Sequence, residues 1–147
     1  MFNVWLDYPK LEDEYLVVKS TTSNNNVDLK KVMSAEEIIY FQELVRRIPV
    51  ADNVLEYAVK LASKSRPNTA HGSEIADKYL SWGAGPRASQ YLVIGAKCHS
   101  LIKGKYSPDI EDVKAVAAAI LRHRIVRNYK AEAEGVSVDK IIEELMK

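Results

Sequence analysis

The stretch Gly83-Ala84-Gly85-Pro86-Arg87-Ala88 decides the fold, because it marks the start of a long helix. Proline is favoured at the first position of a helix, where its missing N–H leaves no hydrogen bond unmade. The helix is predicted to run from Pro86 to Lys103 and to end at Gly104, since glycine commonly follows the last helical residue. Apolar residues recur along it at helical spacing, which indicates that one face is buried.

Helix signals also lie on both sides of this stretch. Ser34 and Glu37 form a capping box, in which the side chain of each residue accepts a hydrogen bond from the backbone of the other. Ser107-Pro108 and Ser137 mark two further helix starts, because serine is a good N-cap and proline suits the first turn. The apolar residues after each signal recur at helical spacing, so most of the chain is predicted to be helical.

One segment at the start of the chain has a different pattern. Phe2, Val4 and Leu6 alternate with other residues, which predicts a short strand over residues 2–6. No second convincing strand follows, so the sheet to which this strand belongs is expected to lie outside the chain. The sequence therefore predicts an all-α fold, a helical bundle of about six or seven helices with a short orphan N-terminal strand.

The composition is that of a single folded domain. The chain has 147 residues, of which 47% are hydrophobic and 28% charged, enough to bury one core. A formal net charge of +1 argues against dedicated nucleic-acid binding, and the single cysteine excludes a disulfide scaffold. No apolar run reaches the roughly 20 residues of a membrane helix, and no signal-peptide pattern opens the chain. A cytoplasmic location without a membrane partner is expected.

Arg87 is the main candidate for chemistry. The first amides of a helix have no intrahelical partner, and the helix dipole makes this end positive. Together with a guanidinium they form an anion site, for which phosphate is the natural ligand; the alternative is that Arg87 pairs with a carboxylate of this chain or lies in solvent. Cys98 and His99 are adjacent on a helix without further ligands, so no metal site is expected. His123 is interpreted as a structural histidine near a helix C-terminus.

The same residues resemble a known family. Gly83–Ala88 is similar to the Gly-Ala-Ser-Pro-Arg-Ala motif in the C-terminal helical lid of MoxR-type AAA+ ATPases. Gly85 replaces the usual serine, which removes a side-chain cap, and the connection over residues 20–33 is long. Other stretches resemble motifs of the family in the same order along the chain: Tyr8-Pro9, Ser34–Glu37, Ile48–Asp52, Ser65-Arg66-Pro67, Tyr106–Val113 and Leu121–Ile125.

The resemblance implies that this sequence contains parts of two domains of a longer ATPase. Residues 1–9 would be the remnant of the last strand of the AAA+ core and its exit, and residues 10–147 the helical lid. Arg87 would be the sensor 2 arginine with a catalytic role in the full-length protein, and the nucleotide would be bound by Gly85, Pro86, Arg87 and Ala88. ATP and Mg²⁺ are expected only there, because the phosphate-binding pattern G-x-x-x-x-G-K-[ST] is missing from this sequence. The chain is therefore expected to be a fragment without bound cofactor or ATPase activity of its own.

The resemblance also implies partners. They are the N-terminal AAA+ core domain, further copies in a homo-oligomeric ring expected to be a hexamer, and proteins with von Willebrand A domains, in chaperone-like remodelling. Two other interpretations stay open at this point. One is a stand-alone helical protein-interaction module without a nucleotide role, which should pack the strand of residues 2–6 into its own fold or lack it. The other is the lid of a magnesium-chelatase-type AAA+ subunit.

Overall fold

The computed structural model describes residues 1–24 and 28–147. Within these ranges the chain forms eight α-helices and one two-stranded sheet, so the prediction of an all-α helical bundle is confirmed. In chain order the elements are α1 Leu11–Thr21, α2 Ala35–Arg47, α3 Asp52–Lys64, α4 Glu74–Tyr79, β1 Leu80–Trp82, α5 Pro86–Ile102, α6 Ile110–Leu121, β2 Val126–Arg127, α7 Tyr129–Ala133 and α8 Val138–Leu145.

Local signals start most of the predicted helices. The backbone N–H of Glu37 donates to Ser34 Oγ at 3.2 Å, and the N–H of Ser34 donates to Glu37 Oε2 at 2.7 Å, so the capping box at α2 is confirmed. Pro86 occupies the first turn of α5, and Ser137 accepts from the backbone of Lys140 at the start of α8. At α2 and α8 side chains within one turn satisfy backbone groups that a helix end leaves unpaired, and at α5 the proline has no N–H that would need a partner.

One helix begins later than predicted. The N-cap of α6 is Asp109 rather than the Ser107-Pro108 pair. Asp109 Oδ1 accepts from the backbone N–H of Asp112 at 3.0 Å, and Asp112 Oδ2 accepts from the N–H of Asp109 at 2.9 Å. This is a capping box with aspartate in the place of the usual glutamate, and its two hydrogen bonds outweigh the weaker preference for serine before proline.

The core lies between α5 and α6, with α3 and α8 packed against them. The two central helices approach closely at Gly95, where a Cβ atom would lie 3.0 Å from Ile120 Cδ1. Leu92, Val113 and Leu121 are fully buried in this contact. The apolar stretch at the C-terminal half of α6 is therefore at the centre of the domain, as its composition predicts.

The predicted N-terminal strand is not formed. Residues 1–10 have no regular secondary structure, and Asn3 donates a single backbone hydrogen bond of 2.7 Å to the carbonyl of Ala119 in α6. A strand requires a neighbouring strand to satisfy its backbone groups, and the described part of the chain offers none at this position. Residues 2–6 thus form no strand among the described residues, and the expectation that they pair with a sheet outside this chain stays a prediction.

The sheet that does form was not predicted. Strand β1 pairs antiparallel with β2, with Leu80 opposite Arg127 and Trp82 opposite Val126. Directly after β2, Asn128 caps α7 and its Nδ2 donates to the carbonyl of Lys78 at 2.9 Å. These contacts tie the C-terminal part of the chain to the segment that leads into α5.

Helix α1 lies on the surface. None of its residues is buried, and Leu11, Tyr15 and Leu16 are all more than half exposed. No helix in the described ranges is both long and apolar enough to cross a bilayer.

Candidate functional site

The start of α5 forms a sharp corner. Gly85 is the N-cap with an extended backbone, φ −79° and ψ 179°, and Pro86 takes the first helical position. The carbonyl of Gly85 accepts from the backbone N–H of Ala88 at 2.9 Å, and the Ala88 side chain is fully buried. Of the four residues predicted to bind nucleotide, Ala88 therefore faces the core, whereas Gly85, Pro86 and Arg87 are exposed.

Arg87 presents its guanidinium to solvent at the second helical position. No ion pair among the described residues involves Arg87, and no hydrogen bond of its side chain is formed within these ranges. The first turn of α5 contains no acidic residue that could neutralise it. A cation therefore stands beside a helix N-terminus that is itself partly positive, which is an arrangement suited to an anion.

Two residues at the end of α3 hold the segment before this corner. Ser65 Oγ accepts from the backbone N–H of Ala84 at 2.9 Å and donates to the carbonyl of Ala62 at 2.6 Å. Arg66 Nε donates to the carbonyl of Ala84 at 2.9 Å. In the sequence Ser65 and Arg66 stand out only as part of the motif Ser65-Arg66-Pro67, and nothing there relates them to a segment 18 residues further on.

Gly83 makes this contact possible. A Cβ atom at Gly83 would lie 2.2 Å from the carbonyl oxygen of Ser65 and 2.5 Å from Arg66 Cα. Only glycine lets two backbone segments approach this closely. Gly85 differs, because a Cβ built there meets nothing within 4 Å.

An open cleft of about 350 Å³ lies beside the corner. It is lined by residues 66–69 and 81–85, and it includes the side chain of Trp82, which is 72% exposed. Arg66 lines this cleft and is also hydrogen-bonded to the segment before the corner, so the cleft and the corner are adjacent.

A second polar cluster lies at the other end of α5. Asp112 is buried, and its carboxylate contacts His99 Nδ1 at 2.7 Å and Lys105 Nζ at 3.0 Å. Burial alone would raise the pKa of Asp112, but hydrogen bonds from the backbone of Asp109 and from His99 and Lys105 outweigh it and hold the pKa at about 2, below the ordinary value of 3.8. The cluster fastens the turn between α5 and α6.

The remaining candidates from the sequence lie apart from the corner. Cys98 is half-buried, and burial raises the pKa of its thiol. His123 is exposed in the turn after α6, and partial burial together with Arg124 lowers its pKa. No grouping of three or more potential metal ligands occurs in the part of the chain that the structure describes.

Replacing Gly85 by serine tests the departure from the family motif. The Gly85→Ser side chain meets no neighbour, and its hydroxyl can accept a hydrogen bond from the first turn of α5. We expect the free energy of unfolding to stay unchanged or to rise by about 0.5 kcal/mol in urea denaturation. A loss of about 1 kcal/mol or more would mean that the corner does not have this open geometry.

Comparisons with known proteins agree with this architecture. Residues 72–145 match the family model of the AAA lid domain. The chain is 25% identical over 146 residues to the chaperone MoxR1 of Mycobacterium tuberculosis, covering 99% of the chain and 38% of that protein. It is 24% identical over 147 residues to the uncharacterized protein YeaC of Bacillus subtilis, covering 99% of the chain and 43% of YeaC.

A solved structure agrees as well. The crystal structure of a "putative ATPase" from Cytophaga hutchinsonii superposes with a TM-score of 0.84 at 30% sequence identity, over 99% of this chain and 44% of that one. The chain thus spans less than half the length of each of these three proteins.

Proposed function

This chain belongs to the AAA lid domain family, and on that premise we propose that it is the C-terminal lid of a MoxR-type AAA+ ATPase. In this role the helical domain closes over ATP that a separate core domain binds. The observation that carries the proposal is the exposed guanidinium of Arg87 at the N-terminus of α5, without a partner among the described residues.

The chemistry of the corner fits the phosphate groups of a nucleotide. Arg87 supplies a full positive charge, and the end of α5 adds the partial charge of the helix dipole. Residues 83–88 contain no carboxylate, so Mg²⁺ would be held by the core domain and not by this corner. Gly85 and Pro86 shape the turn from which Arg87 projects, and Ala88 anchors that turn in the core.

In this proposal Arg87 has the role of sensor 2. Hydrolysis of ATP spreads negative charge over the transferred phosphoryl group, and a cation placed in advance stabilises that charge. The same contact couples lid position to nucleotide state, because closing is favoured only while phosphates bridge the two domains. Binding and release of the nucleotide would thereby move the lid.

The proposal extends to the assembly. The lid would be attached to an AAA+ core, and these units would form a ring, expected to be a hexamer, that remodels other proteins with von Willebrand A domain partners. Exposed apolar side chains near the start of the chain support contacts outside it, since Val4, Trp5 and Tyr8 are at least 72% exposed.

Replacing Arg87 by alanine in the longer protein, with lid and core together, tests the proposal. We expect kcat for ATP hydrolysis to fall about tenfold or more, because one positioned cation at the transition state is lost. Stability should change little, since Arg87 is exposed and has no intramolecular partner among the described residues. The measurement is steady-state release of phosphate at saturating ATP, with thermal unfolding measured on the same preparations.

Arg47→Ala is the matched control. Arg47 is an exposed arginine on α2 whose one ion pair within the described ranges is with Glu43, so its loss should leave turnover unchanged. Wild-type turnover in Arg87→Ala would exclude the sensor 2 role, whereas an equal fall in both variants would point to a general effect of surface charge.

A further inference from the structure

We propose that Arg66, together with Ser65, is a positioning residue for Arg87. Arg66 would act through its hydrogen bond to the backbone of Ala84 and not through its own charge. The inference rests on the proposed function of Arg87 and identifies the part of the fold that positions its side chain.

The backbone of Ala84 is held on both sides. Its N–H donates to Ser65 Oγ at 2.9 Å, and its carbonyl accepts from Arg66 Nε at 2.9 Å. Ser65 is fully buried and Ala84 is 1% exposed, so water is excluded from the bond with Ser65, whereas the bond from the half-buried Arg66 lies at the edge of the cleft. Hydrogen bonds in buried surroundings fix backbone geometry more firmly than exposed ones do.

The segment also cannot shift toward α3. The backbone of Gly83 already lies so near Ser65 and Arg66 that a Cβ atom would come within 2.5 Å of either residue. Ala84 is therefore held in two ways. The neighbouring Gly83 is in close contact with the end of α3, and the N–H and carbonyl of Ala84 itself each form a hydrogen bond. We call Ser65 and Arg66 together the α3 clamp.

Ala84, which the α3 clamp holds, lies three residues before Arg87 in the chain. Between them the carbonyl of Gly85 is already engaged by the N–H of Ala88, so the turn has little freedom of its own. A displacement of Ala84 is passed on to the first turn of α5 and hence to the guanidinium. Misplacing a catalytic group by about 1 Å can cost a large part of its effect on the rate.

Two variants of Arg66 separate the hydrogen bond from the charge. In Arg66→Gln the amide Nε2 follows the same number of bonds as Arg66 Nε, so a donor to the carbonyl of Ala84 is kept and the charge is removed. In Arg66→Met the aliphatic length is kept but there is no donor. Both are made in the longer protein that joins the lid to its core.

We expect kcat for ATP hydrolysis to fall about threefold or more in Arg66→Met and to stay within about twofold of wild type in Arg66→Gln. Thermal unfolding followed by circular dichroism gives the folded fraction at the assay temperature, so that kcat is expressed per folded molecule. An Arg66→Gln variant as slow as Arg66→Met would overturn the inference, because charge and not the hydrogen bond would then matter. Wild-type turnover in Arg66→Met would overturn it as well.

A double-mutant cycle adds a readout that a purely structural role would not move. If Arg66 acts through Arg87, the variant Arg66→Met/Arg87→Ala should be no slower than Arg87→Ala alone, within about twofold. Multiplied losses would mean that Arg66 acts independently of Arg87, and the inference fails while the proposed function stands. A normal rate in Arg87→Ala alone would instead reject the proposed function itself.

Discussion

Replacing Asp112 by alanine is expected to lower the free energy of unfolding by about 3 kcal/mol. The Asp112 carboxylate is 1% exposed and accepts from the backbone of Asp109, from Lys105 and from the ring of His99. Its removal takes this acceptor from the N–H of Asp109 at the start of α6, removes the partner of His99 Nδ1, and leaves Lys105 with Asp109 alone. Urea denaturation of wild type and variant measures the difference.

The pH dependence of stability identifies the cause. The pKa of Asp112 in the folded chain is about 2, below its ordinary value of 3.8, so the folded state favours the charged form. This contribution, about 2 kcal/mol, is fully present above pH 3.8 and is lost as the pH falls towards 2. Asp112→Ala should lack this part of the acid destabilisation.

Glu111→Ala is the control for this prediction. Glu111 lies next to Asp112 on α6, but it is exposed and, in the part of the chain that the structure describes, pairs with Lys114 alone, so its loss should cost less than about 0.5 kcal/mol. Equal losses from Glu111→Ala and Asp112→Ala would show that general helix electrostatics, and not the buried cluster, stabilises the turn between α5 and α6.

Replacing Gly83 by alanine is expected to destabilise the domain by about 3 kcal/mol. The new methyl group would meet the carbonyl oxygen of Ser65 at 2.2 Å, and a backbone atom cannot turn away as a flexible side chain can. The loop before α5 would have to move off α3, which also breaks the hydrogen bonds of Ala84 with Ser65 and Arg66. Thermal and urea denaturation of the purified variant give the measurement.

Gly85→Ser is the comparison within the same corner. Gly83 and Gly85 are two residues apart, and each substitution adds a side chain to one of them. Of these two positions, only Gly83 has its space already filled by other atoms. A Gly83→Ala variant as stable as Gly85→Ser would contradict the close contact with α3 from which the role of Arg66 is inferred.

The helices could be predicted from the sequence because their start signals are local. Ser34 with Glu37, and likewise Ser137, satisfy backbone groups within one turn, and Pro86 has no N–H that would need a partner there, so no knowledge of the remaining fold is needed. Local rules also place Arg87 in the first turn of α5, but they do not decide whether a carboxylate from a distant segment pairs with it, which depends on the packing of the other elements.

The contacts that hold the corner could not be predicted, because they join distant segments. Arg66 and Ala84 are 18 residues apart, and the strands of the small sheet pair Leu80 with Arg127. Such short strands have no periodicity of their own and form only when helix packing brings them together. Residues 2–6 show the converse, since they have the alternating pattern of a strand but no neighbouring strand among the described residues.

The crossing of α5 over α6 at Gly95 gives α5 the geometry of a lever. Arg87 lies eight residues before this pivot, about 12 Å along the helix axis. A tilt of about 5° at the crossing would sweep the base of Arg87 through about 1 Å, a distance over which an ionic hydrogen bond is made or lost. The close contact of Gly95 with Ile120 therefore limits how precisely the N-terminal end of α5, and with it Arg87, can be positioned.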